Sequence, residues 1–136
     1  MPDFLWNPIW ETGFPDIDRQ HQELLRRMES LAMVLAGGGE LLETERTLLH
    51  MGEYVEFHFQ AEEALMRQFE YPGLPLHQAH HDALRSQVRS LVDAYVADHE
   101  LVPMSVMDFL VGWLLDHIDK HDRAMAAFFR KCGSSA

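Results

Sequence analysis

The sequence predicts an all-α protein, an antiparallel up-down-up-down four-helix bundle with a non-helical arm at its N-terminal end. Apolar residues recur at spacings of three and four through four separate segments, which is the period of an amphipathic helix. Breaks that contain glycine or proline separate these segments, and short connections place consecutive helices antiparallel. No segment shows sustained alternation of apolar and polar residues, so β-strands are not expected.

The arm and the first helix occupy the start of the chain. Residues 1–16 combine aromatic residues with prolines and are predicted to form an ordered arm that packs on the bundle. The first helix follows, with Asp16 or Asp18 as its N-cap, and ends at the three glycines 37–39. Its apolar stripe consists of His21, Leu24, Met28, Leu31 and Leu35.

The three later helices follow the same pattern. The second runs from about residue 41 to Phe69, where the sequence YPGLP ends it. The third ends near Asp98, and the fourth starts around Pro103 or Ser105, with Ser105 and Asp108 as a candidate capping box.

The apolar stripe of the second helix is Leu48, Met51, Val55, His58, Glu62, Leu65 and Phe69. The third is His77, His81, Leu84, Val88, Leu91 and Tyr95. The fourth is broader: Val106, Leu110, Trp113, Leu114, His117, Ile118, His121, Asp122, Met125, Phe128 and Phe129.

Composition and charge limit the functions that the chain can have. With 136 residues and 47% hydrophobic content, we expect one domain over 1–136, with the bundle at 17–131. A formal charge of −11 would repel phosphate groups, so no nucleic-acid partner is expected. The single cysteine, Cys132, excludes a disulfide framework and a cysteine-based zinc site. No apolar run approaches the ~20 residues that span a bilayer, and the first residues lack the features of a signal peptide. We therefore expect a cytoplasmic protein without membrane insertion.

Histidines at core-phase positions are the strongest functional signal. Five of them fall on the apolar stripes: His21, His58, His77, His81 and His117. A buried imidazole or carboxylate without a partner is unfavourable by several kcal/mol. Positions 58 and 62, like 77 and 81, have i, i+4 spacing, so each pair presents two side chains to one region of the interior. In an antiparallel bundle all five histidines lie at one level, toward one end, and this predicts a buried metal site.

On the fourth helix, His117 has two alternative partners. His121 has the favoured i+4 spacing, whereas Asp122 is at i+5, roughly 140° away in a regular helix. However, Asp122 aligns with Leu114 and Ile118 on an apolar face, and a local π-type widening would turn it inward. The residues alone leave both alternatives open.

Four motifs, taken in order, resemble the hemerythrin family, and most closely the bacterial single-domain hemerythrins. They are IDxxH ending at His21, HFxxEE starting at His58, YP at Tyr71 followed by HxxxH from His77, and WLxxHIxxxD from Trp113 to Asp122. The similarity extends from Trp10 to about Phe129. It favours Asp122 over His121, since the family pattern has i+5 spacing at this point.

The resemblance implies a non-haem centre of two iron ions with a bridging oxo or hydroxo group. One iron would be bound by His77, His81 and His117, and the other by His21 and His58. Glu62 and Asp122 would bridge the two irons. The first iron then has six ligands, whereas the second has five and keeps an open position.

The implied function is reversible O₂ binding, for carriage, storage or delivery, with O₂ held as hydroperoxide on the two-histidine iron. Carboxylate-rich di-iron sites favour high-valent iron, so a set dominated by neutral histidines favours release of O₂. Five apolar residues are expected to wall the O₂ pocket, by helix phase and by resemblance: Leu24, Phe59, Trp113, Leu114 and Ile118.

Other functions would use the same ligands. The alternatives are a di-iron O₂ or redox sensor, an enzyme that handles peroxide or nitric oxide, and a metal reservoir. A signalling domain is not expected, since the bundle occupies the 136 residues. We expect a monomeric binding protein rather than an enzyme, with O₂ and an O₂-consuming enzyme as its partners.

The remaining polar residues near the motifs have simpler interpretations. His50 and His99 are expected to be exposed, and His80 lies one position off its stripe. Glu63 is expected at the surface or beside a ligand. Asp18 either caps the first helix or orients a ligand histidine.

Overall fold

This computed structural model describes residues 6–37, 41–98 and 104–132. Helix α1 spans Pro15–Ala36, α2 spans Leu41–Gln68 and α3 spans Leu74–Asp98. Helix α4 (Met104–His117), a π turn (Ile118–Asp122) and α5 (Arg123–Lys131) follow. The predicted four-helix bundle is confirmed, and the described residues form no strand. Within those ranges, every helix is too short or too polar to cross a membrane.

The fourth helix of the bundle consists of three successive pieces. Backbone angles at His117 (φ −64°, ψ −43°) and Arg123 (φ −66°, ψ −38°) are α-helical, so α4, the π turn and α5 form one continuous helix. The N–H of Arg123 donates to the carbonyl of Ile118, which is the i to i+5 bond that characterises a π turn. The wider turn changes which side chains after His117 face inward.

The histidines lie between two apolar clusters. Helix α1 packs on α2 and α4, and α2 packs on α3, which creates the main core. A smaller cluster consists of Ile17, Met66, Met125 and Phe129. Along α1, Ile17 belongs to the smaller cluster and Leu24 to the main core, with His21 between them. The polar layer therefore has apolar packing on both sides, which excludes water from it.

The predicted arm contains a 3₁₀ turn at Pro8–Trp10 and is fastened to the bundle by buried polar contacts. Asp18 Oδ1 accepts hydrogen bonds from the backbone N–H and the hydroxyl of Thr12, both at 2.9 Å. Arg130 of α5 donates to the carbonyl of Thr12. These bonds hold the arm across the end of the bundle that contains the histidines.

The predicted N-cap of the first helix was wrong. Helix α1 begins at Pro15, and Phe14 is its N-cap without a side-chain hydrogen bond, so Asp16 and Asp18 lie inside the first turn. Proline is favoured at the first helical position because its missing N–H has no helical partner there. The candidate capping box cannot be compared in the same way, since the side chain of Ser105 lies outside the described residues.

The Thr12–Asp18 contact supports a stability prediction. Asp18→Ala should lower the free energy of unfolding by about 1–3 kcal/mol, because two buried donors on Thr12 lose their acceptor. Asp16→Ala is the matched control, since Asp16 is exposed and pairs with the exposed Arg19, and it should change the stability by less than about 1 kcal/mol. Urea unfolding of the two variants measures both values. Equal effects would show that the arm does not contribute to stability through this contact.

Candidate metal centre

Seven buried polar residues from all four helices of the bundle converge at one level. They are His21 from α1, His58 and Glu62 from α2, His77 and His81 from α3, His117 from α4 and Asp122 from the π turn. None of them is more than 3% exposed. Such complete burial of polar groups is rare unless they are paired or bind a metal ion.

The carboxylate of Glu62 lies between two sets of histidines. Its Oε2 is 3.1 Å from Nε2 of His21 and 2.9 Å from Nε2 of His58. Its Oε1 is 3.4 Å from Nε2 of His77 and 3.2 Å from Nε2 of His81. Each oxygen thus faces a different pair of imidazoles.

Asp122 repeats this arrangement from the opposite helix. Its Oδ2 is 2.9 Å from Nε2 of His21. Its Oδ1 is 2.9 Å from Nε2 of His77 and 3.1 Å from Nε2 of His117. The two carboxylates therefore divide the histidines in the same way, into His21 and His58 on one side and three histidines on the other.

The donor set fits two cations. Two groups of residues can each offer ligand atoms that lie within 4.8 Å of one another, and both groups contain Glu62 and Asp122. The first group adds His77, His81 and His117, and the second adds His21 and His58. Several of these atoms are fully buried and lack a hydrogen-bond partner among the described residues: Nε2 of His58 and His81, Oε1 of Glu62 and both oxygens of Asp122. A buried lone pair without a partner is unfavourable, and a metal ion at each group would satisfy it.

The π turn decides between the two alternatives on the fourth helix. Asp122 is fully buried in the cluster, whereas His121 is only half-buried at its edge. Because the turn contains one additional residue, position 122 rather than 121 lies beneath His117. The tertiary structure brings together all seven residues of the predicted set and leaves His121 outside it.

Two histidines of the cluster are oriented by polar side chains behind them. Nδ1 of His58 is 2.8 Å from Oε1 of Gln20, and Nδ1 of His81 is 2.9 Å from Oε2 of Glu63. Glu63 is itself paired with Arg85, at 2.8 and 3.1 Å. Such partners fix the ring orientation and the tautomer of a ligand histidine. Glu63 thus lies beside His81, one of the predicted ligands, in line with one of its two sequence-based interpretations.

Sequence reasoning missed Gln20, Arg85 and Trp6. Arg85 follows His81 at i+4 on α3, and this spacing was a usable signal for a shared helix face. No pattern distinguishes Gln20 from an ordinary surface glutamine. The ring of Trp6 lies 6.5 Å from that of His21, and its buried Nε1 has no hydrogen-bond partner among the described residues.

Protonation compensates for the charges of the cluster when no metal is bound. Burial lowers the pKa of His21 and of His77, but their close contacts with the carboxylates of Asp122 and Glu62 outweigh burial and raise each pKa to about 9. Burial raises the pKa of the Glu62 and Asp122 carboxyl groups, yet the surrounding histidines hold each pKa well below its usual value. Burial also lowers the pKa of His58. At neutral pH, the imidazolium forms of His21 and His77 therefore offset the negative charge of the two carboxylates.

Four of the five residues that are predicted to wall the O₂ pocket are fully buried, and Trp113 is half-buried. Leu24, Leu114 and Ile118 are fully buried in the main core. Phe59 stacks on His81 with ring centroids 3.8 Å apart, and the half-buried Trp113 stacks on His117 at 4.7 Å. These contacts cover the three-histidine side of the cluster, and the role of the five residues as a ligand pocket stays a prediction.

The other histidines are less buried. His50 is exposed, as predicted, and His99 lies outside the described residues. His80 and His121 are half-buried and contact each other, with ring centroids 4.1 Å apart.

Comparisons with known proteins agree with this geometry. The family model for the hemerythrin HHE cation binding domain matches residues 12–129. The chain is 28% identical over 131 residues to a bacteriohemerythrin from Clostridium acetobutylicum, covering 88% of this chain and 96% of the relative. It is also 28% identical over 124 residues to a bacteriohemerythrin from Aquifex aeolicus, covering 88% and 92%. A crystal structure of wild-type hemerythrin matches with a TM-score of 0.87 and 26% identity, covering 93% of this chain and 97% of that one.

Proposed function

Because this chain belongs to the hemerythrin family, we propose that its buried cluster holds two iron ions and binds O₂ reversibly. The observation that supports this most directly is the placement of Glu62 and Asp122. Each carboxylate presents one oxygen to each set of histidines, as a bridge between two ions requires. In this proposal His77, His81 and His117 bind one ion, and His21 and His58 bind the other.

The unequal number of histidines leaves one position for an external ligand. If both carboxylates and an oxo or hydroxo group were shared by the two ions, His77, His81 and His117 would complete six ligands around one ion, and His21 and His58 would complete only five around the other. When bound, the two irons would each supply one electron to O₂ and recover it on release. We therefore propose that O₂ binds on the side of His21 and His58.

The chain contributes a dry and rigid environment to this reaction. Leu24, Leu114 and Ile118 exclude water from the layer, and water would otherwise promote loss of the bound oxygen. Gln20 and Glu63 are engaged with the outward nitrogens of His58 and His81 and are not aimed into the layer as acids or bases. These features support reversible binding rather than turnover, and thus carriage, storage or delivery of O₂.

The visible spectrum tests this proposal. The protein is loaded with two irons, reduced without O₂, exposed to O₂ and then degassed. We expect a charge-transfer band that appears with O₂ and disappears on degassing over repeated cycles. A protein with two irons bound and no such band would contradict reversible O₂ binding. A band that appears once and decays to oxidised iron without recovery would favour an enzyme or a sensor.

A further inference from the structure

A second group of histidines adjoins the buried centre. The rings of His80 and His121 are 4.1 Å apart, and that of His117 is 6.0 Å from His80 and 5.2 Å from His121. One nitrogen of each ring lies within 4.8 Å of a nitrogen of the other two. Three imidazoles at this separation can share a single ion such as Fe²⁺, Co²⁺, Ni²⁺, Cu²⁺ or Zn²⁺.

The three rings lead from the surface into the cluster. His80 and His121 are half-buried, whereas His117 is only 3% exposed. His121 also lies 6.2 Å from the ring of His77, so the group adjoins the three-histidine side of the centre. An ion from solvent would meet His80 and His121 first.

His117 belongs to both groups. Its Nε2 is 3.1 Å from Oδ1 of Asp122, within the buried cluster. Its Nδ1 is fully buried and has no hydrogen-bond partner among the described residues. His117 thus offers one ring nitrogen to the outer group and the other to the buried cluster, so its ring links the two positions.

The local backbone explains how this group forms. On α3, His80 directly precedes His81, so its side chain lies at the edge of the inward-facing stripe. On the fourth helix, the π turn directs Asp122 inward and leaves His121 at the rim. The same backbone irregularity that completes the buried cluster thus places a histidine at its margin.

We propose that His80, His121 and His117 form a loading site, at which a divalent transition-metal ion binds before it moves into the buried centre. This inference rests on the proposed di-iron centre. The transfer is a ligand exchange without a redox step: His80, His121 and Nδ1 of His117 are released, while Nε2 of His117, His77, His81 and the carboxylates of Glu62 and Asp122 are gained. The net charge of −11 favours the approach of the cation.

Uptake kinetics of the metal-free protein test this inference. The full chain is mixed with Co²⁺ alone, and the visible bands of the bound ion are followed with time. The double variant His80→Gln/His121→Gln should load more slowly, by roughly tenfold or more, because the first ligands that the ion meets are lost. At equilibrium it should still bind two ions per chain. His50→Gln is the matched control, since His50 is an exposed histidine of α2, and it should load at the wild-type rate.

The outcomes separate the two proposals. Equal loading rates in the double variant and the wild type, both with two ions bound, would overturn the loading site and leave the di-iron centre intact. A double variant that binds fewer than two ions at equilibrium would also overturn it, since the histidines would then be permanent ligands. If the wild-type protein itself fails to bind two ions, both proposals fail.

Discussion

Asp122→Ala is expected to reduce the equilibrium iron content from two ions per chain to one or none. Asp122 lies within 2.9–3.1 Å of histidines from both sets, so its loss removes a ligand from each proposed ion at once. It also leaves the buried positive charge of the two ions less compensated. Metal analysis by mass spectrometry after removal of loose iron measures the content, and the charge-transfer band should disappear in parallel.

Two controls make this result specific. Asp119→Ala changes an exposed aspartate of the same π turn, which pairs with the exposed Arg123, and should leave two irons per chain. His121→Ala tests the alternative that helical spacing suggested, and it should also leave the equilibrium content at two. If His121→Ala loses an ion while Asp122→Ala keeps both, the proposed ligand set is wrong.

Removal of the metal is expected to make the stability of the protein strongly dependent on alkaline pH. In the metal-free cluster, the pKa values of His21 and His77 are raised from 6.5 to about 9 by their contacts with Asp122 and Glu62. A raised pKa contributes stability that is fully present below pH 6.5 and is lost as the pH rises through 9. Each shift corresponds to at most about 3 kcal/mol of unfolding free energy.

The two carboxyl groups do not alter this alkaline window. The pKa values of Glu62 and Asp122 are lowered, so their contribution is present above the ordinary carboxyl pKa and is lost only in acid. Urea unfolding of the metal-free protein at about pH 6 and about pH 10 should therefore differ by several kcal/mol. His50→Gln, which changes an exposed histidine, should keep the difference. A flat profile between these pH values would show that His21 and His77 are neutral without metal.

The same protons connect pH to metal binding. Because a histidine must be deprotonated to bind a metal, His21 and His77 should together release about two protons on loading at neutral pH, in addition to those that a water loses when it becomes the bridging group. The metal-loaded protein should then lose the alkaline dependence, since the ions replace the protons as partners of the carboxylates.

Much of the fold could be predicted because the spacing of apolar residues within each helix indicates that helix without reference to the rest of the chain. The three-four stripes that contain Leu48 or Leu84 are a local consequence of helical geometry, and α1 ends at Ala36, directly before the predicted break at Gly37. Helix starts were less predictable. Asp16 and Asp18 are both favoured N-caps, yet Pro15 occupies the first helical position and Asp18 bonds to Thr12 instead. The sequence contains no local signal for that contact.

The seven clustered residues were also predictable, since histidine on an apolar stripe is unusual and the order of the motifs is specific. Their supporting partners were less so. Arg85 could have been found through its i+4 spacing from His81, whereas Gln20 is recognisable only from its 2.8 Å contact with His58. Trp6 is one aromatic residue among several in the arm, and only packing places it beside His21.

By itself, the sequence determined the helical bundle, the level of the histidines and their family, because helical periodicity and motif order are properties of a linear chain. The tertiary structure decided which oxygen of each carboxylate faces which histidines, and it supplied the physical reason why Asp122, which the motif order favours, lies inward instead of His121. A regular helix makes His121 the partner of His117, and only the π turn at Ile118–Asp122 reverses that choice. Its extra residue is an irregularity that no periodic pattern specifies, and it both completes the buried cluster and leaves His121 at the rim.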